Sequence, residues 1–376
     1  MANSQPLRPD MNFTPQEIAR YARHLSLAGF GPVAQQKLKS GRVLVIGAGG
    51  LGCPALLYLV AAGVGRIEIV DADRVDVSNL QRQVLYTAAD AGQLKVEAAA
   101  RRLQALNPLI EIVPRAERFT RDNALALVAR CDVVVDGSDN FATRYLVNDA
   151  CVIGGKPFVY GAIQGFEGQA SVFNWQGGPT YRCLFPEPPE PGTVPNCSEA
   201  GVLGVLPGLI GTIQATEAIK LLTGIGESLS GRLLLWDALT MTTRTVTLEA
   251  DPLRRAIHDL PPEHYGETCV KPMDTTSDEI DGPELRRRLS EVQLIDVRED
   301  WEREAGAILP STHVPLGLFA GDGAAVPLAA LDPARPTVVY CAHGVRSLRA
   351  LAELRARHGF TQAWSLRGGY EEWRSA

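Results

Sequence analysis

The chain has 376 residues, 43 acidic side chains against 37 basic ones and a formal net charge of −6. That length exceeds the size at which one core keeps growing, so two domains are expected. The acidic balance, with no concentrated basic face, excludes a nucleic-acid binder, because neutralising phosphates needs clustered Lys and Arg.

Met1-Ala2-Asn3-Ser4-Gln5 shows no basic segment followed by an apolar core, so no secretory leader is expected and a cytoplasmic location is. In chain order, Thr14-Pro15-Gln16-Glu17 combines a capping residue, a proline at the first helical position and a returning glutamate, which predicts a helix toward Leu25 carrying Arg20 and Arg23. Residues 43–65 are uncharged and long enough to suggest a membrane span, but their glycines divide them into a buried strand 43–46, a turn 47–52 and a helix 54–62. No membrane segment is expected. Strand 67–71, helix 96–106, strand 110–113, helix 123–129 and strand 133–136 follow, a parallel doubly wound α/β pattern.

Residues 157–160 and 169–175 continue the sheet, and the Pro- and Glu-rich stretch 181–195 is expected as a mobile loop. A long apolar helix 204–222, ended by Gly224, and strands 232–236 and 243–248 complete a first domain, 1–260. A polar stretch, 261–278, reads as a linker. A smaller α/β domain, 279–376, is predicted from a helix 283–289, strands 292–297 and 337–340, a helix 347–358 and a strand 363–366. Seven scattered cysteines, an odd number, read as reduced thiols and not as a disulfide framework.

Gly47-Ala48-Gly49-Gly50-Leu51-Gly52 lets phosphates approach the backbone while the next helix points its positive end at them, and Asp71 ends the following strand where a ribose hydroxyl would sit. Taken alone, these residues favour an NAD-dependent oxidoreductase. Ser78-Asn79-Leu80-Gln81-Arg82-Gln83, Lys95 and Asp136-Gly137-Ser138-Asp139-Asn140 are polar insertions that hydride transfer does not need. Nucleotidyl transfer does: Arg82 and Lys95 neutralise a triphosphate, and Asp139 offers a hard oxygen to magnesium.

With Arg20-Tyr21-Ala22-Arg23 and residues 202–206, these motifs resemble the MoeB/ThiF family of ubiquitin-activating-type adenylyltransferases over residues 12–252. The resemblance implies a Rossmann-like adenylation domain in a homodimer, ATP and Mg as cofactors, and as substrate the C-terminal glycine of a ubiquitin-like sulfur-carrier protein of the MoaD or ThiS type. It implies nucleotide contacts from Gly47, Gly49, Gly50, Asp71, Ser78, Asn79, Leu80, Gln81, Arg82, Lys95, Asp139 and Asn140, an arginine crossing to the neighbouring site at Arg23, and a catalytic cysteine at Cys197. Cys53, Cys131 and Cys151 lie in apolar surroundings and are expected in the core. Most relatives bind zinc through two Cys-x-x-Cys pairs; here those positions read Thr180-Tyr181-Arg182-Cys183 and Arg254-Arg255-Ala256-Ile257, so no zinc is expected.

In the second domain, Cys341 follows the apolar strand Thr337-Val338-Val339-Tyr340 and precedes a helix near Ser347, which aims backbone N–H groups and a positive helix end at its sulfur, with Arg346 adding charge. That cradle suits an anionic persulfide. Ile295-Asp296-Val297-Arg298-Glu299, residues 341–347 and Leu366-Arg367-Gly368-Gly369-Tyr370 with Trp373 resemble a single-domain rhodanese, whose loop is one residue shorter than that of related phosphatases. Asp296 and Arg298 are expected to form a structural ion pair. The whole chain resembles adenylyltransferase and sulfurtransferase fusions of the MoeZ type, which implies a carrier thiocarboxylate as product and a cysteine desulfurase or thiosulfate as sulfur source. A rhodanese donor with a non-adenylating docking domain is the alternative. Molybdopterin and thiamine biosynthesis both use such carriers.

Overall fold

The computed structural model describes residues 12–189, 201–260, 265, 278–320 and 322–375. The chain divides into two compact units, Met1–Cys269 and Val270–Ala376.

In the first unit, β1 (Arg42–Ile46), β2 (Arg66–Val70), β3 (Glu111–Arg115), β4 (Val133–Asp136), β5 (Phe158–Gln164), β6 (Glu167–Phe173), β7 (Arg232–Asp237) and β8 (Thr242–Thr247) form one sheet in the order β3-β2-β1-β4-β5-β6-β7-β8. The first five strands along that order are parallel. The remaining three are antiparallel, so the doubly wound pattern expected from the sequence holds only as far as β5. Val43 to Ile46 and Val133 to Val135 are buried, as strands covered on both faces must be, and they accordingly read as unbroken apolar runs. β8 closes the edge with exposed threonines. The strand order reverses between β1 and β4, which opens a crevice at their carboxyl ends.

The helix Pro15–Leu25 starts with the capping box expected of Thr14 and Glu17. The helix Val205–Thr223 has the length and hydropathy of a membrane span, yet it buries Leu206, Ile210, Gln214, Ala218 and Leu221 within the unit, and Gly224 ends it at φ +76°. Helices absent from the sequence reading include the two longest of them, Gly31–Ser40 and Phe141–Ile153. The second buries every residue from Arg144 to Cys151, so it carries no amphipathic stripe.

Residues 181–195, expected as a mobile loop, begin with a buried helical turn, Tyr181–Leu184. Arg182 pairs with Asp149 at 2.7 and 2.8 Å, and the Tyr265 hydroxyl donates to the same carboxylate at 2.6 Å. Asp149 thus ties down both the start of the expected loop and a residue of the expected linker. Residues 190–200, Cys197 among them, lie outside the described residues.

In the second unit, β9 (Glu279–Ile280), β10 (Gln293–Asp296), β11 (Thr312–His313), β12 (Thr337–Tyr340) and β13 (Ala363–Leu366) form a parallel sheet in the order β11-β10-β12-β13-β9. Central β12 is buried throughout and delivers Cys341 at its carboxyl end.

The turn after β1 is a tight passage. A Cβ on Gly52 would stand 2.0 Å from the Gly47 carbonyl oxygen, a backbone atom that cannot yield cheaply. Gly52→Ala is therefore expected to destabilise the chain by about 1–3 kcal/mol, whereas Gly208→Ala, with open space at its Cβ position, leaves the thermal midpoint unchanged. Thermal unfolding of the two variants checks this.

Candidate active sites

The chain leaves β1 through Gly47 at φ +88°, whose N–H donates to the Val70 carbonyl at 2.9 Å, and enters the helix Gly52–Ala62. Between them Ala48 is gripped on both sides. Its N–H donates to Asp71 Oδ2 at 2.8 Å, and its carbonyl accepts from the Tyr86 hydroxyl at 2.8 Å and from the Cys53 thiol at 3.4 Å. Among the described residues, the half-exposed Gly49 and Gly50 N–H groups donate to no acceptor. They stand at the positive end of an 11-residue helix, an arrangement suited to an anion.

Asp71, expected on a ribose hydroxyl, ties β2 to this loop, for its other oxygen accepts from the Asp73 N–H at 2.7 Å. Lys95, expected at the triphosphate, is 5% exposed and pairs with Asp73 at 2.9 Å. The side chain of Asp73 is 64% exposed, so an incoming phosphate can replace it.

Ser78 donates to Asp76, and Asn79 Oδ1 accepts from Gln83. Gln81 and Leu80 carry this segment onward, with the Gln81 carbonyl packed against Gly204. Arg82 lies over the glycine loop, its Cγ 3.7 Å from where a Gly50 Cβ would stand, and its guanidinium meets no carboxylate among the described residues.

The turn after β4 completes the crevice, the Gly137 N–H bonding the Ile46 carbonyl at 2.8 Å. Burial pushes the Asp136 carboxyl up, while Asp139 is exposed. Asn140, expected to contact nucleotide, spends its Oδ1 capping the helix Phe141–Ile153 through the Thr143 N–H at 2.9 Å. Buried Arg144 donates to the Ser138 carbonyl at 3.2 Å and stacks on Tyr160 and Phe141, which fixes this turn from beneath.

Arg23 is exposed and is not brought to the loop within one chain. Its helix packs Tyr21 against Gly63, the far end of the helix Gly52–Ala62, about 16 Å away by helical rise. Cys53, Cys131 and Cys151 are buried thiols; burial pushes the first two up to about 12 and the third well above its ordinary value. Cys269 lies outside the described residues.

At the corner where the resemblance implied zinc thiolates, Cys183 Sγ accepts from the Thr180 and Asp251 N–H groups, both at 3.3 Å. Arg254 pairs with Glu187 at 3.2 Å, and Arg255 donates to Asn174 at 3.1 Å. One sulfur already held by backbone donors, beside two guanidinium groups, does not fit a dication.

In the second unit Cys341 is 1% exposed. The Gly344 N–H donates to its sulfur at 3.1 Å, and the Ser347 hydroxyl lies 3.5 Å away at the start of the helix Val345–Arg357. The Cys341 and Ala342 carbonyls are turned the other way, accepting from the Tyr370 and Glu371 N–H groups at 2.8 and 3.0 Å. Gly369 at φ +63° permits this approach, since a Cβ there would stand 2.5 Å from both oxygens.

Arg346 departs from expectation. Its guanidinium grips Glu302 through two hydrogen bonds of 2.5 and 2.7 Å, so much of its charge is neutralised before it reaches the sulfur. Burial opposes ionisation of Glu302, but the Arg346 guanidinium and the Glu299 N–H prevail and hold its carboxyl below the usual range. Asp296 and Arg298 form the expected ion pair, with bonds of 2.8 and 2.9 Å; Asp296 is fully buried and also accepts from the Tyr340 hydroxyl and Arg303. Burial raises the Asp296 pKa, yet Arg298 and these donors bring it below its ordinary value.

Sequence reasoning missed Tyr86, Arg144, Glu302 and Ser347. Ser347 stood inside the quoted cysteine loop, and Tyr86 three residues past Gln83. Glu302 and Arg144 act on partners that only folding supplies.

A family model described as the ThiF family matches residues 21–255, and one described as the rhodanese-like domain matches residues 282–376. The chain is 46% identical over 389 residues to the probable adenylyltransferase/sulfurtransferase MoeZ of Mycobacterium tuberculosis, covering 99% of this chain and 97% of that protein. It is 54% identical over 247 residues to the sulfur carrier protein adenylyltransferase of Thermus thermophilus, covering 64% of this chain and 91% of that one. Among solved structures, E. coli MccB with ATP superposes with a TM-score of 0.53 at 22% identity, over 62% of this chain and 73% of that one, a likeness of fold.

Asp296 and Glu302 both have lowered folded pKa values, so their stabilisation is fully present above the unfolded values of about 3.9 and 4.3 and is lost as pH falls through the lower folded ones. Thermal melting of the second unit in the intact chain is expected to weaken progressively below about pH 4. Asp296→Asn flattens that acid slope, and a slope identical to the parent's contradicts the assignment.

Proposed function

The chain is an adenylyltransferase and sulfurtransferase of the ThiF family with a rhodanese-like domain, and from that premise we propose that it makes a thiocarboxylate on a ubiquitin-like sulfur-carrier protein of the MoaD or ThiS type. The observation that carries this reading is that the likeness to MoeZ spans 99% of the chain and therefore both loops.

The carrier's C-terminal glycine carboxylate attacks the α-phosphate of ATP, giving an acyl adenylate and pyrophosphate. Gly49 and Gly50 offer N–H groups to the phosphates, Arg82 and Lys95 neutralise them, and Arg23 reaches the neighbouring site of a homodimer. Asp139 presents an exposed carboxylate with a hard oxygen, a fit for magnesium. When bound there, that ion neutralises phosphate charge. The outer sulfur of a Cys341 persulfide then attacks the acyl carbon and expels AMP. Attack of a thiolate, from Cys197 or an outside thiol, on Cys341 Sγ of the resulting acyl disulfide forms a new disulfide with Cys341 and expels the thiocarboxylate; a second thiol then reduces that disulfide and restores Cys341. A cysteine desulfurase or thiosulfate supplies the sulfur, and cytoplasmic reducing conditions suit the free thiols.

ATP–pyrophosphate exchange with a panel of Gly-Gly-ended carriers, followed by intact mass after adding thiosulfate, tests the proposal. Carrier-dependent exchange is expected, with one sulfur gained for one oxygen. Cys341→Ser keeps the exchange and loses the mass gain, whereas Arg82→Ala lowers exchange by about 10²-fold. Absence of exchange with every carrier, while Cys341 still turns over thiosulfate, reduces the first unit to a docking module.

The zinc corner is proposed to be metal-free. Elemental analysis of the dialysed protein is expected to give far less than one zinc per chain; near-stoichiometric zinc contradicts this.

A further inference from the structure

A peptide between a strand and a helix can present either its carbonyl or its N–H to the crevice, and a carbonyl oxygen turned toward phosphate would repel it. Here the carbonyl points into the protein, where the Tyr86 hydroxyl and the Cys53 thiol both reach it, and Asp71 takes the N–H of the same residue. We propose that Tyr86 is a positioning residue for nucleotide binding, holding the Ala48 carbonyl inward so that the Gly49 N–H of the same peptide faces the phosphates; the next peptide is set separately, its Gly49 carbonyl accepting from the Cys53 N–H at 2.9 Å.

Three further observations support it. Tyr86 is 5% exposed, so its hydroxyl forms this bond away from competing water. Burial raises the Tyr86 phenol far above its ordinary value and Cys53 to about 12, so both keep their protons and remain donors at every working pH. Tyr86 also belongs to the segment that carries Arg82. Its own N–H bonds the Gln83 carbonyl at 3.1 Å, and the Gln83 side-chain amide lies 3.6 Å from where a Gly49 Cβ would stand. One hydroxyl therefore fastens the Arg82 segment to the glycine loop.

The inference rests on the adenylation reading, and the experiment separates the two. Binding of ATP and of adenosine, which lacks phosphates, is measured by calorimetry for the parent chain, Tyr86→Phe, Cys53→Ala and Tyr145→Phe. Tyr145 is a fully buried tyrosine whose hydroxyl donates to the Phe185 and Glu187 carbonyls, and it controls for the loss of any buried phenol bond. Tyr86→Phe is expected to weaken ATP roughly five- to ten-fold, the change that goes with one hydrogen bond, and to leave adenosine within about two-fold. Cys53→Ala moves the ratio the same way by a smaller factor. Tyr145→Phe lowers the thermal midpoint and leaves the ratio alone. Equal losses for ATP and adenosine in Tyr86→Phe, or no loss, overturn the assignment while the parent still binds ATP. A parent chain that binds adenosine but gains nothing from the phosphates overturns the adenylation reading itself.

Discussion

Both loops depend on the direction of a few peptide carbonyls. After β1 the Ala48 carbonyl is held by Tyr86 and Cys53; after β12 the Cys341 and Ala342 carbonyls are held by the N–H groups of Tyr370 and Glu371. With the oxygens occupied, the N–H groups and the positive helix ends remain for an anion, a phosphate chain at the first loop and a sulfur at the second. The two units differ in fold and share this solution, because a buried carbonyl must find a donor and, once it has one, the peptide cannot turn over. The glycines follow from the same constraint. Gly52 and Gly369 are the positions where a side chain would collide with the oxygens of the turn.

Each unit also holds a buried ionic cluster. Asp149 receives Arg182 and Tyr265, so a single carboxylate fastens segments 33 and 116 residues away in sequence. Asp296 likewise receives Arg298, Arg303 and Tyr340, while Arg298 stacks on Tyr370 at 4.2 Å and donates to the Gly306 carbonyl. Removing one partner of such a cluster leaves an uncompensated buried charge, which costs more than the intact cluster contributes. Tyr370 links the two scales: its ring packs on the ion pair, and its N–H holds the carbonyl of Cys341.

The glycine loop, the cysteine loop and the Asp296 and Arg298 pair were legible in the sequence because their own residues are neighbours in the chain, although what holds each loop in place comes from further away. The capping box at Thr14 was legible for the same reason. Tyr86 and Glu302 were not. Their partners, Ala48 and Arg346, lie 38 and 44 residues away, and no local spacing signals that meeting. The helix Phe141–Ile153 escaped because full burial erases the periodicity by which helices are recognised. The loop expected from Tyr181 failed at its first residues, since composition reports proline and glutamate but not the ion pair that Arg182 makes with Asp149.

The cations around the loops are not equivalent. Lys95 is already paired with Asp73 and Arg346 with Glu302, whereas the Arg82 guanidinium meets no carboxylate among the described residues. An anion arriving at Lys95 or Arg346 exchanges one carboxylate partner for another negative group, so the net gain is smaller than the Coulomb attraction alone suggests. Arg82 donates to the Ser78 carbonyl at 3.4 Å, so among the described residues no carboxylate has to be displaced from it. On the proposed adenylation reading, the first attraction felt by a polyphosphate falls on Arg82 and on the Gly49 and Gly50 N–H groups, which have no acceptor among the described residues. Lys95 joins only as Asp73, largely exposed, gives way. In the second unit no such release is available, because Glu302 is nearly buried, with 11% of its side chain exposed. The cradle at Cys341 is accordingly built more from the Gly344 N–H and the helix end than from the arginine beside it.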